Sequence, residues 1–284
     1  NGAKVLNTNV DLTIQPGAGL NTSGSNFGLT VGGDFVNSGI FTANGSSITI
    51  TGNANPQSIA GFNITGNVSM TKSGGTATLT GNVNAAALTL NGAGTLNLGT
   101  GLSHTFTGTV TRTNGTLNVG TSTLDLSATP GPFSGAGGTF TANTGTVNYS
   151  GAGVQTIAGV TYLNLTTSGS GTKTLGANTI IANAGTLNLA GGTLAGGAFT
   201  LTMNSTSNIT RSAGDMTVTP SGAGTYNVTY TGATKTSGTE LAGTGLNNLT
   251  LNLTPAESLN LNASRTLAGT LTLTNGNLVI PSSA

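Results

Sequence analysis

The stretch Gly94-Thr-Leu-Asn-Leu-Gly99 decides the fold class, because it recurs with few changes along the chain. The further copies are Gly115-Thr-Leu-Asn-Val-Gly120, Gly185-Thr-Leu-Asn-Leu-Ala190 and Gly269-Thr-Leu-Thr-Leu-Thr274. In each copy every second residue is apolar, which is the period of a strand with one buried face. Gly, Asn, Ser and Thr separate such segments throughout the chain, and these residues tolerate turns. The sequence therefore predicts an all-β fold.

A longer repeat distinguishes between the all-β architectures. The segment from Phe41-Thr-Ala-Asn44 to Gln57-Ser-Ile-Ala-Gly61 returns from Phe140-Thr-Ala-Asn143 to Gln155-Thr-Ile-Ala-Gly159, and a weaker third copy ends at Gly243. Because solenoid repeats hold about 20–45 residues, each long unit should contain several coils of about 20–25 residues. We predict a single elongated parallel β-solenoid over residues 1–284, with degenerate repeat units near 35–132, 133–211 and 212–280.

A β-sandwich array is the alternative fold. Asn-Gly pairs at Asn44, Asn91, Asn114 and Asn275 are strong hairpin signals. Under this alternative, the segment from Leu88 to Leu96 would form an antiparallel hairpin. Under the solenoid, the corner Asn residues would stack and form side-chain ladders.

Composition argues against several classes of function. The chain has 7 basic and 6 acidic residues, a net charge of +1 and no Cys, so it lacks the positive charge that binds nucleic-acid phosphates and it has no thiolate ligands. It contains no apolar stretch of about 20 residues, so we expect no membrane insertion. We also expect no cofactor. The chain starts at Asn1 rather than Met, from which we expect an exported, processed protein at the cell surface.

The few titratable residues do not form a catalytic pattern. His104 is the single His, and we expect it at an exposed strand or corner position without a metal. The acidic residues are scattered, so we expect no enzymatic activity, and Asp215 should form a local surface ion pair with Arg211, four residues before it. Apolar side chains alone should fill the core, and the aromatic residues should belong to it: Phe27, Phe35, Phe41, Phe62, Phe106, Phe133, Phe140, Phe199, Tyr149, Tyr162, Tyr226 and Tyr230.

The terminal segments predict a subunit interface. Apolar alternation begins near the first residue and continues almost to the last, without a charged or helical cap. Such ends leave strand edges available for pairing. We predict that copies of the chain polymerise head to tail, or that the chain is a fragment of a longer solenoid. The predicted interface residues are Val5, Leu6, Val10, Leu12, Ile14, Leu271, Leu273, Leu278, Val279 and Ile280.

The segments Gly151-Ala-Gly-Val-Gln-Thr-Ile-Ala-Gly159 and Tyr162-Leu-Asn-Leu-Thr-Thr-Ser-Gly-Ser-Gly-Thr-Lys-Thr-Leu175 resemble the β-strand repeats of bacterial secreted surface proteins. These include filamentous-haemagglutinin-like adhesins and autotransporter passenger domains. The resemblance covers about residues 35–280 and implies an extracellular right-handed β-helix that acts as a stalk, adhesin or fibre. It supplies no catalytic motif.

Three functions follow as expectations. The first is a structural subunit of an extracellular filament or surface layer whose partners are copies of itself. The second is a monomeric adhesin or glycan-binding stalk that contacts glycans or host surfaces. The third is an ice-binding solenoid with Thr arrays such as Thr76-Ala-Thr78-Leu-Thr80. Drifting repeat lengths, 98 residues from Gly61 to Gly159 and 84 from Gly159 to Gly243, argue against the aligned Thr columns that an ice-binding face needs.

Overall fold

The computed structural model describes residues 2–7, 9–222 and 224–280. The chain divides into two compact units, Asn1–Thr146 and Val147–Ala284. Short strands make up almost all of the regular structure in both units, and the one helix of the described residues is the 3₁₀ turn Thr239–Leu241. The all-β prediction is confirmed. The three long repeat units stay a prediction.

The strands of the first unit are short and follow one another at close intervals. They are β1 (Lys4–Val5), β2 (Leu12–Ile14), β3 (Gly19–Asn21), β4 (Leu29–Val31), β5 (Phe35–Asn37), β6 (Ile40–Thr42), β7 (Ile48–Ile50), β8 (Gln57–Ile59), β9 (Phe62–Asn63), β10 (Val68–Met70), β11 (Thr76–Leu79), β12 (Val83–Ala85), β13 (Leu88–Leu90), β14 (Thr95–Asn97), β15 (Ser103–Phe106), β16 (Val110–Arg112), β17 (Thr116–Asn118), β18 (Thr123–Leu126), β19 (Phe133–Ser134) and β20 (Thr139–Thr141).

The second unit has several longer strands. They are β21 (Thr146–Tyr149), which begins at the last residue of the first unit, β22 (Gln155–Ile157), β23 (Thr161–Thr167), β24 (Thr172–Leu175), β25 (Thr179–Leu189), β26 (Thr193–Ala195), β27 (Leu201–Met203), β28 (Ser207–Arg211), β29 (Asp215–Met216), β30 (Pro220–Gly222), β31 (Tyr226–Gly232), β32 (Lys235–Thr236), β33 (Leu246–Leu253), β34 (Ser258–Asn260), β35 (Leu271–Asn275) and β36 (Asn277–Val279).

In the first unit, strands that are three apart in sequence pair in parallel. One sheet has the order β1-β4-β7-β10-β13-β16-β19, another the order β2-β5-β8-β11-β14-β17-β20, and β9, β12, β15 and β18 follow one another in a third. Each coil therefore contributes one strand to each sheet, which is a parallel β-solenoid. The hairpin alternative is wrong, because β13 and β14, which flank Asn91-Gly92, belong to different sheets.

The second unit is built in the same way. Strands β21, β23, β25, β28, β31, β33 and β35 form its main sheet, in which β27 also pairs with β25, and β30 pairs with β27. Two smaller sheets have the orders β22-β24-β26-β29 and β32-β34-β36. The pairs between successive coils are parallel here too, for example β25 with β28 and β31 with β33.

Columns of like residues form because the register persists from coil to coil. In the first unit Leu29 aligns with Ile48, Ile48 with Val68, and Val68 with Leu88. Successive members of this column are 19 or 20 residues apart, near the predicted coil length. These side chains are buried, so each coil adds one apolar layer, and a fully buried Leu or Ile stabilises by about 1.5–3 kcal/mol.

The core predictions for aromatic residues are confirmed for the Tyr residues and for Phe35, Phe62, Phe106 and Phe133, whereas Phe27, Phe41 and Phe140 are half-buried and one Phe was predicted wrongly. All four Tyr residues are fully buried in the second unit. Phe199, however, is 40% exposed. It lies in the corner between β26 and β27, where its N–H donates to the carbonyl of Gly196 at 3.0 Å and closes a turn. A corner residue lies outside the strand alternation on which the prediction relied.

Candidate functional site

The last coil of the second unit exposes an apolar layer. Strand β35 pairs with β33, and Leu271 and Leu273 align with Leu249 and Leu251. Leu249 and Leu251 are 2% and 0% exposed, whereas Leu271 and Leu273 are 43% and 54% exposed. The two pairs occupy the same core columns, so the difference arises because no described strand covers β35.

Strand β36 completes this uncovered coil. Leu278 aligns with the buried Leu259 and is itself half-buried. Val279 and Ile280 are exposed. Predicted interface residues of the C-terminal segment are therefore brought together on two strands of one coil.

The N-terminal segment contributes a less regular surface. Val5 is exposed and aligns with Thr30 in an outward-facing column, whereas Lys4 aligns with the core residue Leu29. Val10 is exposed and Ile14 is buried in the core. The remaining predicted residues of this segment, Leu6 and Leu12, are half-buried. Strands β1 and β2 each pair on one side within the described residues, with β4 and β5.

The outward positions of both units form uncharged polar columns. In the second unit the column on the main sheet is Thr166, Asn188, Thr210, Thr229, Thr250 and Thr272. In the first unit the corresponding column is Thr30, Thr49, Ser69, Thr89, Thr111 and Ser134. Neighbouring members stand about 4.8 Å apart. The expectation that drifting repeat lengths would break such alignment is wrong, because coils of different length keep the strand register.

Asn ladders are present, but they lie on strands and not at the corners where the sequence analysis expected them. The Asn227 amide donates to Oδ1 of Asn208 at 3.3 Å, and that of Asn248 donates to Oδ1 of Asn227 at 2.9 Å. Asn275 donates to Asn252 at 3.1 Å. These ladders fix side chains on the face of the sheet without using charge.

Two lysines lie in the core, where the sequence analysis expected apolar side chains alone. Lys72 and Lys173 are fully buried. Lys173 Nζ donates to the carbonyls of Ser170 (2.8 Å), Gly153 (3.2 Å) and Gly151, and Lys72 Nζ donates to the carbonyl of Ala54 at 3.0 Å. Burial lowers the pKa of both amines. Corner carbonyls need donors, and the ammonium groups supply them.

An arginine has the same role in the first unit. Arg112 is buried, and its Nη1 and Nη2 donate to the carbonyls of Gly138 (3.0 Å) and Gly135 (3.1 Å). The guanidinium also lies 4.7 Å from the ring centroid of Phe133, a cation–π distance. It therefore holds a corner in place.

The predicted surface ion pair is part of a buried network in the second unit. Arg211 donates to Asp215 Oδ1 and to Glu240 Oε1, both at 2.7 Å. The side chains of Arg211 and Glu240 are 6% and 0% exposed, against 57% for Asp215. The simple surface interpretation is therefore wrong, because it missed Glu240, 29 residues further along the chain.

Further donors surround the Glu240 carboxylate. The Tyr230 hydroxyl and the Gly238 N–H, the latter at 2.8 Å, donate to its Oε1. Burial, together with the carboxylate, raises the pKa of Tyr230. Burial lowers the pKa of Arg211, but the adjacent Glu240 outweighs this effect and raises it overall. Arg211 therefore stays charged near neutral pH.

His104 is buried, which contradicts the predicted exposed position. Its Nδ1 accepts the Val83 N–H at 3.1 Å, and Nε2 lies 2.8 Å from the Leu98 carbonyl. This pattern fits the neutral ring with its proton on Nε2, and burial lowers the pKa of His104. His104 aligns with Leu124, and the neighbouring Asp125 aligns with Thr105 on the outward side.

No metal centre or membrane helix is found in the part of the chain that the structure describes. Over residues 2–7, 9–222 and 224–280, no group of three or more His, Cys, Asp or Glu side chains could hold a metal ion. None of the helical structure in these ranges is long and apolar enough to cross a membrane. Comparison with known protein families, curated proteins and solved structures found no match. The geometry of the chain itself is therefore the basis for a proposal.

Proposed function

We propose that the chain is a structural subunit of an extracellular filament or surface layer, assembled head to tail from copies of itself. The observation that carries this proposal is the uncovered coil at β35, where Leu271 and Leu273 occupy core columns and are half exposed. A further coil that pairs with β35 would bury both side chains and supply partners for its free edge.

A second copy supplies an edge of the matching kind. In each copy β1 and β2 take part in parallel sheets and pair on one side within the described residues. Parallel pairing of β35 with β1 of the next copy would be of the same kind as the pairing between coils within each unit. Because the two contacting surfaces differ, the contact is heterologous and builds an open chain of subunits. Weak surface charge gives little repulsion between copies.

A charged side chain placed in the exposed apolar layer of β35 tests the proposed junction. The variant Leu273→Lys would bury an ammonium group at the junction without a partner, which is costly. We expect the unmodified chain to form filaments that lengthen with concentration, and Leu273→Lys to remain as single folded chains at concentrations about tenfold higher. Thr272→Lys is the matched control, because it adds the same charge to the outward side of the same strand. Negative-stain electron microscopy and light scattering are the measurements.

A deletion tests the other side of the junction. Removing residues 1–14 eliminates β1 and β2 and should also abolish polymerisation, while the second unit keeps its native tyrosine fluorescence. Filaments that persist in Leu273→Lys or in the deletion variant would refute end-to-end pairing. An unmodified chain that stays single at all concentrations would refute assembly from copies of this chain.

A further inference from the structure

A cavity in the second unit carries an inference that does not depend on polymerisation. It has a volume of about 300 Å³ and lies between residues 241–244, which follow the Glu240 network, and residues 264–268 of the loop between β34 and β35. Leu241 and Leu246 give it an apolar wall. Its volume is at the lower end of the range for small-ligand sites, so it suits a ligand of about one sugar ring.

Arg265 is the charged residue of this cavity. Five other basic residues donate to backbone carbonyls, namely Lys72, Arg112, Lys173, Arg211 and Lys235. The guanidinium of Arg265 instead donates through Nη2 to the side chain of Asn262, and its Nε has no hydrogen-bond partner in the structure. No carboxylate of the described residues forms an ion pair with it. Arg265 is therefore a cation that donates to Asn262 through Nη2 and forms no ion pair with a described carboxylate.

The nearest part of the Glu240 network does not supply the missing anion. No ion pair joins Arg265 to Glu240: Oε1 of Glu240 accepts bonds from Arg211, Tyr230 and Gly238, and Oε2 is buried without a hydrogen-bond partner. Burial raises the pKa of Tyr226 to about 12, so its hydroxyl stays protonated and donates to the Glu240 backbone carbonyl at 2.9 Å. These bonds hold residues 239–241, and with them one wall of the cavity, in a fixed position.

The other polar groups of the lining are uncharged. Thr244, Ser264 and Thr266 bring hydroxyls to the cavity, and hydroxyls can both donate and accept. A planar guanidinium matches a carboxylate in a two-bond arrangement, whereas phosphate sites commonly combine a cation with several backbone N–H groups. We propose that this cavity binds a carboxylate-bearing saccharide, with Arg265 on the carboxylate and the hydroxyls on the ring.

Titration with galacturonate, followed by calorimetry and by tyrosine fluorescence, tests the inference. We expect saturable binding, with galactose and acetate each bound at least about tenfold more weakly, because galactose lacks the charge and acetate lacks the ring. Inorganic phosphate is the fourth probe. Equal or tighter binding of phosphate would refute a saccharide site, and the absence of saturable galacturonate binding would refute any site.

Variants of Arg265 test whether its guanidinium contributes to galacturonate binding. Arg265→Gln should weaken galacturonate binding by at least about tenfold, and Arg265→Lys should give an intermediate loss because it keeps the charge without the planar fork. Lys4→Gln removes an exposed charge elsewhere and should leave the affinity unchanged. Native tyrosine fluorescence would show that Arg265→Gln remains folded. Unchanged affinity in that variant would overturn the assignment. Leu273→Lys should still bind galacturonate, so this outcome is separable from polymerisation.

Discussion

Removing the charge of Glu240 should destabilise the second unit strongly. In Glu240→Gln the side chain keeps its size, but Arg211, which is 6% exposed, loses its buried counter-ion. Breaking a buried ion pair by changing one partner costs about 3–5 kcal/mol. Because the Gln carbonyl can still accept from Tyr230 and Gly238, and Arg211 keeps Asp215, we expect a loss near the lower limit, about 3 kcal/mol. For a unit of this size that lowers the Tm by roughly 6–12 °C.

The four tyrosines make the assay specific. The chain has 4 Tyr and no Trp, and all four Tyr lie in the second unit, fully buried. Their intrinsic fluorescence during urea denaturation therefore reports the unfolding of that unit. The matched control is Asp215→Asn, which removes the other carboxylate bound to Arg211. Since the Asp215 side chain is 57% exposed, the control should cost no more than about 1 kcal/mol.

A double variant measures the interaction energy between Arg211 and Glu240 separately from their other contacts. Arg211→Met combined with Glu240→Gln should cost less than the sum of the single changes, because the second change no longer leaves a buried charge unpaired. If Glu240→Gln lies within about 1 kcal/mol of the unmodified chain, or if Asp215→Asn costs as much, the network does not stabilise the unit as argued here.

Two predictions concern the first unit. Because the folded-state pKa of His104 is lowered, its contribution to stability is complete above the unfolded pKa of about 6.5 and is lost as the pH falls below it. The amide hydrogen-exchange protection factors of the first unit, which are corrected for the intrinsic pH dependence of exchange, should therefore fall in mild acid, and His104→Leu should remove the His-linked part of this fall. Unchanged protection factors in mild acid would contradict the prediction. Gly115 has φ +69°, and a Cβ there would lie 2.2 Å from a backbone oxygen, so Gly115→Ala should cost at least about 1–3 kcal/mol. Gly74, where a Cβ would meet nothing within 4 Å, is the control, and equal Tm values for the two Ala variants in calorimetry would refute the argument.

The solenoid could be predicted from the sequence because its information is local. The alternation of Leu96 and Leu98, or of Leu187 and Leu189, identifies the buried face of each strand. Because the same short sequence motif recurs along the chain, stacked coils are expected. The register between coils also follows from the sequence, because it aligns residues of the same type in successive coils. What the alternation could not give is the conformation of corners, which is why Phe199 was assigned to the core.

The buried charges were missed although a local signal for them exists. Arg112 stands two residues after Val110, Lys173 two before Leu175, and Arg211 two after Ile209. In a strand, side chains two apart point to the same face, so each of these cations shares the inward face of an apolar neighbour. The same parity relates His104 to Phe106. The Asp215 partner of Arg211 follows from its four-residue spacing, but the partners in distant parts of the chain, such as Gly138 for Arg112 and Glu240 for Arg211, are revealed by no sequence spacing.

The positions of the basic residues show that most of the few positive charges of the chain lie at its corners. Five of the 7 basic side chains bind backbone carbonyls, so the outward sheet faces carry even less charge than the 5% of the sequence suggests. In each unit one outward column is uncharged: it consists of Thr and Asn in the second unit, and of Thr and Ser with Val5 at its start in the first unit. Most of the basic side chains thus hold corners together, and these outward columns are left without charge. The guanidinium of Arg265 has no ion-pair partner among the described residues, which is why the ligand proposed for its cavity is an anion.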